Sequence, residues 1–174
     1  MDGLNDGLAI SLRGPQAEDA LRAFYHQIEE WDIPLPPAPP LVLDFGLNHF
    51  AKTGLIEFWI ANEYLAGYCA KYLFVFDGQS CPLHYHRSKH ETYFILKGRA
   101  TVLCGERTHQ LSVGDVLSIE PGKTHGFTGV GPLLLLEMSQ ACLVDDNYFT
   151  NSAIPIGGNY RGIPAAVAPT GATR

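Results

Sequence analysis

Missing from these 174 residues is any excess of positive charge: 12 Lys and Arg stand against 18 Asp and Glu, a net charge of -6. A nucleic-acid backbone or an anionic membrane surface has no basic field to meet, so both partner classes are set aside. Long apolar runs are lacking too. None approaches the ~20 residues of a membrane-crossing helix, and the opening Met1-Asp2-Gly3 carries an acid where a secretory leader has basic residues. The expectation is a cytoplasmic protein without a targeting segment. Cysteine is sparse: Cys69, Cys81, Cys104 and Cys142 include no C-x2-C pair. That argues against a zinc knuckle or a disulfide framework and leaves free, mostly buried thiols. No internal repeat is present. What remains is 46% hydrophobic against 17% charged residues in a one-domain length, enough apolar mass for one sizeable core.

Gly14-Pro15 reads as a cap followed by a first-turn proline, with Glu18 and Asp19 where carboxylates suit the helix dipole. Ala17, Ala20, Leu21, Phe24, Ile28 and Trp31 recur at helical spacing, predicting an amphipathic helix over residues 15–31. The run from Pro34 to Pro40 is a stiff, extended connector. Residues 1–40 are too short to fold alone, so helix and connector are expected to pack on the remainder of the chain. From residue 41 the texture changes to short apolar or alternating runs cut by turn residues, the pattern of an all-β sandwich or barrel. Strands are predicted at 41–45, 54–60, 70–76, 82–86, 91–97, 99–104, 107–111, 115–120, 124–128 and 132–139, with a hairpin turn at Gly105-Glu106. The barrel is placed at 41–150. Residues 151–174 form a C-terminal extension whose end, 165–174, is expected to be a mobile tail.

His84 and His86 are separated by one residue, which on a strand sends both imidazoles to one face, a chelating pair with Tyr85 pointing away. Glu91 lies at an odd offset, and a loop at Arg87-Ser88-Lys89-His90 can reset the register and return it beside the histidines. After the turn Glu120-Pro121-Gly122, His125 can supply a third imidazole. Three histidines and a carboxylate suit one divalent transition metal with two positions open for water or substrate. The alternative for a lone His-x-His is a satisfied surface pair.

The wider pattern decides between them. Gly78-x5-His84-x-His86-x4-Glu91-x6-Gly98 resembles the first cupin motif. Gly114-x5-Glu120-Pro121-Gly122-x2-His125 resembles the second, departing from it by Glu120 at the usual first proline and Gly129 at the usual asparagine. The resemblance implies an all-β fold, a single cupin (a double-stranded β-helix or jelly-roll barrel) with an N-terminal α-helix, in which His84, His86, Glu91 and His125 hold one metal. Over 41–150 the chain also resembles the compact D-lyxose ketol-isomerase family, through Leu43-Asp44-Phe45-Gly46-Leu47, Gly54-Leu55, Tyr68-Cys69-x-Lys71, Gly78-Gln79-x-Cys81-Pro82-x-His84, Lys89, Glu137-Met138-Ser139 and Asp146-Asn147-x-Phe149. Sialic-acid-synthase-associated cupins share much of the central string. The isomerase resemblance implies interconversion of D-lyxose with D-xylulose, and of D-mannose with D-fructose, by a dimer that uses manganese; Fe, Co, Ni and Zn accept the same ligands.

Aldose–ketose isomerisation needs a base, an acid and an electrophile. Taken alone, Lys89 reads as a solvated loop lysine, or as a proton shuttle whose pKa a nearby dication lowers. Glu137 ends the apolar strand Leu133-Leu134-Leu135-Leu136, either at a surface rim or with a chemical task, because a buried unpaired carboxylate is costly. The resemblance makes Lys89 and Glu137 the acid–base pair. His90, Tyr93 and Asp146 are candidate substrate contacts. The rival readings are an oxygenase or oxidase cupin and a non-catalytic sugar-binding cupin.

Overall fold

The computed structural model describes residues 10–160; the expected mobile tail at 165–174 lies outside the described residues. Helix α1 spans Pro15–Trp31. Gly14 caps it at φ 74°, proline takes the first turn, and Asp32 ends it in the left-handed region at φ 52°. Beyond it the described residues form eleven strands: β1 (Leu41–Leu43), β2 (Leu55–Glu63), β3 (Tyr68–Val75), β4 (His84–Tyr85), β5 (Glu91–Lys97), β6 (Arg99–Cys104), β7 (Arg107–Ser112), β8 (Val116–Ile119), β9 (His125–Gly129), β10 (Leu133–Ser139) and β11 (Tyr148–Phe149). They build a six-stranded sheet in the order β1-β2-β3-β10-β5-β8 and a five-stranded sheet in the order β11-β4-β9-β6-β7. All strand pairings within the two sheets are antiparallel. The chain folds as the expected single cupin barrel with an N-terminal helix.

Two apolar layers hold it. Between the sheets, Leu73 and Val75 of β3, Leu133 and Leu135 of β10, Ile95 of β5, Val102 of β6 and Phe127 of β9 form the barrel core. The alternate residues of the same strands face outward under α1, where Ala17, Ala20, Phe24 and Ile28 cover Ile56, Phe58, Phe74 and Leu134. Leu133 to Leu135 are therefore buried on both faces of one strand. Phe24 is fully buried, with ring centroids 5.2 Å from Phe58 and 4.9 Å from Phe74. Phe24→Ala should cost about 3–5 kcal/mol of unfolding free energy, measured by urea titration; a loss under about 1 kcal/mol would mean that the helix contributes little to the barrel's stability.

The departure at Gly129 has a local cause. A Cβ there would lie 2.8 Å from the carbonyl oxygens of both Gly131 and Phe76, so the backbone leaves no room for asparagine. The strand expected at 82–86 shrinks to His84–Tyr85, because it pairs only with β11 and with His125 of β9. Segments flanking the barrel pack on it: Ser11 bridges to Leu43, and Ile154 is buried in the inner core.

Candidate metal centre and active site

The two sheets each contribute to one cluster. His84 on β4 lies directly opposite His125 on β9 in the five-stranded sheet, and His86 follows β4. Glu91 opens β5 in the six-stranded sheet, paired with Ile119 and Ser139. All four side chains are buried, and one potential ligand atom from each lies within 4.8 Å of the others. Each imidazole is fixed through Nδ1, which contacts a backbone carbonyl: Pro82 at 2.9 Å for His84, Asp146 at 2.8 Å for His86 and Lys123 at 2.9 Å for His125. With Nδ1–H donating, each Nε2 carries a bare lone pair, the form that binds a metal.

The inward-facing atoms show the same thing from the other side. His125 Nε2 lies 2.7 Å from Glu91 Oε2, and His86 Nε2 lies 3.2 Å from Glu91 Oε1. Yet His86 Nε2, His125 Nε2 and Glu91 Oε2 have no partner in hydrogen-bonding geometry. Buried acceptors that crowd together unpaired are expensive unless a cation sits among them. Burial, then the neighbouring His125 and His86, hold His84 well below the ordinary histidine range, so it is neutral. Burial alone would raise the Glu91 carboxyl, but the Lys89 ammonium beside it outweighs burial and holds the group ionised. This donor set fits one divalent transition metal.

Beside the cluster runs a buried ladder of alternating charge. Lys89 Nζ lies 2.6 Å from Glu91 Oε1 and 3.3 Å from Glu137 Oε1. Glu137 Oε2 lies 3.4 Å from Lys71 Nζ, which lies 3.3 Å from Glu57 Oε2. Ser139 Oγ donates to Glu137 Oε1 at 3.2 Å. Lys89, Glu137, Lys71, Glu57 and Tyr93 line a chamber of about 60 Å³ that also reaches His84 and Glu91. A larger groove of about 600 Å³, between the free edges β7 and β8, contains none of the ligand residues.

Several expectations change here. Glu137 is not at a rim; it is buried at 3% exposure and paired. Without a dication, burial would lower the Lys89 pKa, but Glu137 and Glu91 outweigh it and keep the ammonium charged. His90 turns away from the chamber, its Nε2 lying 3.1 Å from Ser118 Oγ and 3.4 Å from Glu120. Arg87 stacks on the outer Tyr148 ring at 4.5 Å. Asp146 is committed elsewhere: its carboxylate accepts the backbone N–H groups of Arg87 at 2.9 Å, Ser88 at 3.1 Å and Lys89 at 3.0 Å. It shapes the loop that resets the register between His86 and Glu91, and it does not line the chamber. Asp146→Ala should weaken divalent-metal affinity about 10–100-fold, read by competition with a chromogenic chelator; unchanged affinity would show that the loop holds its shape without it.

Glu57 and Lys71 were not among the candidate residues. Their signal was present as phase: Lys71 occupies the inward set Cys69, Lys71, Leu73 and Val75 of β3, and Glu57 sits between the buried Leu55 and the half-buried Trp59 of β2. Burial would lower the Lys71 pKa, but Glu137 and Glu57 raise it well above the ordinary lysine value.

Known proteins resemble this chain in sequence and in fold. The cupin domain model matches residues 74–139, and the D-lyxose isomerase model matches residues 41–105. A D-lyxose/D-mannose isomerase of Thermosediminibacter oceani is 26% identical, over 82% of this chain and 95% of its own. The L-ribose isomerases of Geodermatophilus obscurus (TM-score 0.69) and Cellulomonas parahominis (TM-score 0.67) share the fold at 16% identity, each over 83% of this chain and 95% of theirs. The chain is thus similar to cupin domains over residues 74–139 and to D-lyxose isomerases over residues 41–105.

Proposed function

We propose that this protein is a metal-dependent aldose–ketose isomerase that interconverts D-lyxose with D-xylulose and D-mannose with D-fructose. The observation that carries the reading is the buried Lys89–Glu137 pair, 3.3 Å apart and lining the same chamber as His84 and Glu91. An oxygenase has no need of a paired base and ammonium beside its ligands, and a binding site gains nothing from burying them.

Manganese, held by His84, His86, Glu91 and His125, would supply Lewis-acid polarisation of the sugar oxygens. The chain's own residues move the protons. The Glu137 carboxylate takes the proton from the carbon next to the carbonyl while the Lys89 ammonium donates one to the carbonyl oxygen, giving the neutral enediol. Glu137 then returns its proton to the former carbonyl carbon, and the hydroxyl proton of the neighbouring carbon passes back to Lys89. Both groups end as they began. Lys71 stays charged against Glu137 Oε2 and orients the carboxylate. The small chamber limits water, which would otherwise exchange with the transferred proton.

Support for an unphosphorylated substrate comes from the chamber's balance, with lysines already matched by carboxylates and no cluster of cations left for a phosphate. The outer sheet face leaves Ile60, Tyr68 and Met138 exposed, a surface suited to a second copy in a homodimer. No helix among the described residues is long and apolar enough to cross a membrane, and a cytoplasmic setting fits the free thiols. The test is to strip the protein with chelator, restore one divalent metal at a time, and follow D-xylulose from D-lyxose and D-fructose from D-mannose. Ketose that returns with metal supports the reading. Oxygen uptake without ketose, or saccharide binding without turnover, would replace it with one of the rivals.

A further inference from the structure

Among the described residues, four buried side-chain polar atoms lack a hydrogen-bond partner. Three belong to the metal ligands; the fourth is Trp59 Nε1. Trp59 lies on β2 opposite Lys71, whose Nζ sits 5.1 Å from the ring centroid. Immediately beyond it the strand bulges: Trp59 pairs with Lys71 but Ala61 with Ala70, so Ile60 is the extra residue. A bulge of this kind re-aims the neighbouring side chain. Trp59 lines a second chamber of about 90 Å³. That chamber shares Glu57, Lys71, Phe45 and Asn147 with the inner one, so the two adjoin.

We infer that Trp59, with Lys71 and Glu57, forms the subsite for the hydroxyl-bearing tail of an open-chain sugar, the end remote from the carbonyl, and so sets the preferred chain length. The inference rests on the isomerase reading. A sugar whose reacting carbons lie against Glu137 and Lys89 extends along the charge ladder, because Lys71 and Glu57 are its next rungs. Its tail then reaches the outer chamber. There the indole N–H finds an acceptor hydroxyl, and the ring face offers the apolar surface that sugar C–H groups cover. Glu57 accepts from a hydroxyl and Lys71 donates to one. The chamber is also lined by Ile10 and Ile156, whose apolar side chains offer further hydroxyls no polar partner.

Trp59→Phe keeps an aromatic ring and deletes the donor. The expected result is a KM for D-lyxose raised about 2- to 13-fold, the worth of one hydrogen bond. The preference in kcat/KM for D-lyxose over an aldotetrose lacking the tail hydroxyl should fall by a similar factor. A second readout avoids turnover. In a Trp31→Phe background Trp59 is the sole indole, and its emission should shift saturably with a linear pentitol in the metal-loaded protein. If the protein makes ketose but the preference and the emission both stay fixed, the subsite is wrong and the isomerase reading stands. If no aldose yields ketose with any metal, the isomerase reading falls, and the emission decides the subsite alone: a saturable shift keeps it as a polyol site, and no shift overturns it.

Discussion

Glu137→Gln should leave the metal bound and reduce ketose formation by about 10²–10⁴-fold, the range for removing a positioned general base. The substitution is nearly isosteric, and it strands neither lysine: Lys71 keeps Glu57 at 3.3 Å and Lys89 keeps Glu91 at 2.6 Å. The fold should therefore survive, and a melting temperature within a few degrees of the parent would confirm it. Metal analysis separates the two ways of losing activity, because Glu137 lines the chamber with the ligands and is not one of the four clustered ligand residues. Full metal content with turnover within about threefold of the parent would remove Glu137 from the proton path and transfer the base to another rung of the ladder. Loss of metal together with activity would make Glu137 a support of the metal site.

Removing a ligand acts earlier in the chain of causes. His125→Ala should abolish stoichiometric metal binding and reduce turnover by more than about 100-fold, since loss of a supporting partner alone costs 10–100-fold. The imidazole is fully buried, anchored by Nδ1 at Lys123, and opposite His84 on the adjoining strand. Stability provides the second readout. A metal that binds only the folded chain adds about 4 kcal/mol when its free concentration is a thousand times its dissociation constant. The parent should melt higher with metal than after chelation, and the variant should melt at one temperature in both. If the variant retained a full metal equivalent, either the remaining ligands suffice or the metal sits elsewhere, and the cluster would lose its assigned role.

Much of the fold was legible because its signals are local. Helix α1 has the bounds that Gly14-Pro15 and the spacing of Ala17, Phe24 and Ile28 predict. Ten strands lie where alternation and turn residues place them, and the eleventh, Tyr148–Phe149, does not. Two residues carry no periodicity, and that strand exists only through its pairing with His84 and Tyr85. Glu57 and Lys71 were hidden for a related reason. The helix buries the outer face of β2 and β3 as the core buries the inner one, so both phases of these strands read as apolar and a charge in the inward phase lost its contrast. His90 and Asp146 are the opposite case. Nearness to the ligands in sequence or in family motif suggested substrate contact, but the loop from Arg87 to His90 turns their polar atoms to strand β8 and to its own backbone.

By itself, then, the sequence determined the kinds of element, their order, and the residue types able to bind a metal, because hydrophobic periodicity and ligand chemistry belong to short stretches of chain. Only the tertiary structure decided which charges meet. Glu57, Lys71, Glu137 and Lys89 come from three neighbouring strands of one sheet and a loop, with Lys89 and Glu137 separated by 48 positions. Whether a carboxylate is a solvated rim group or a buried, paired base depends on distance and dielectric, and pairing β10 between β3 and β5 is what set both for Glu137.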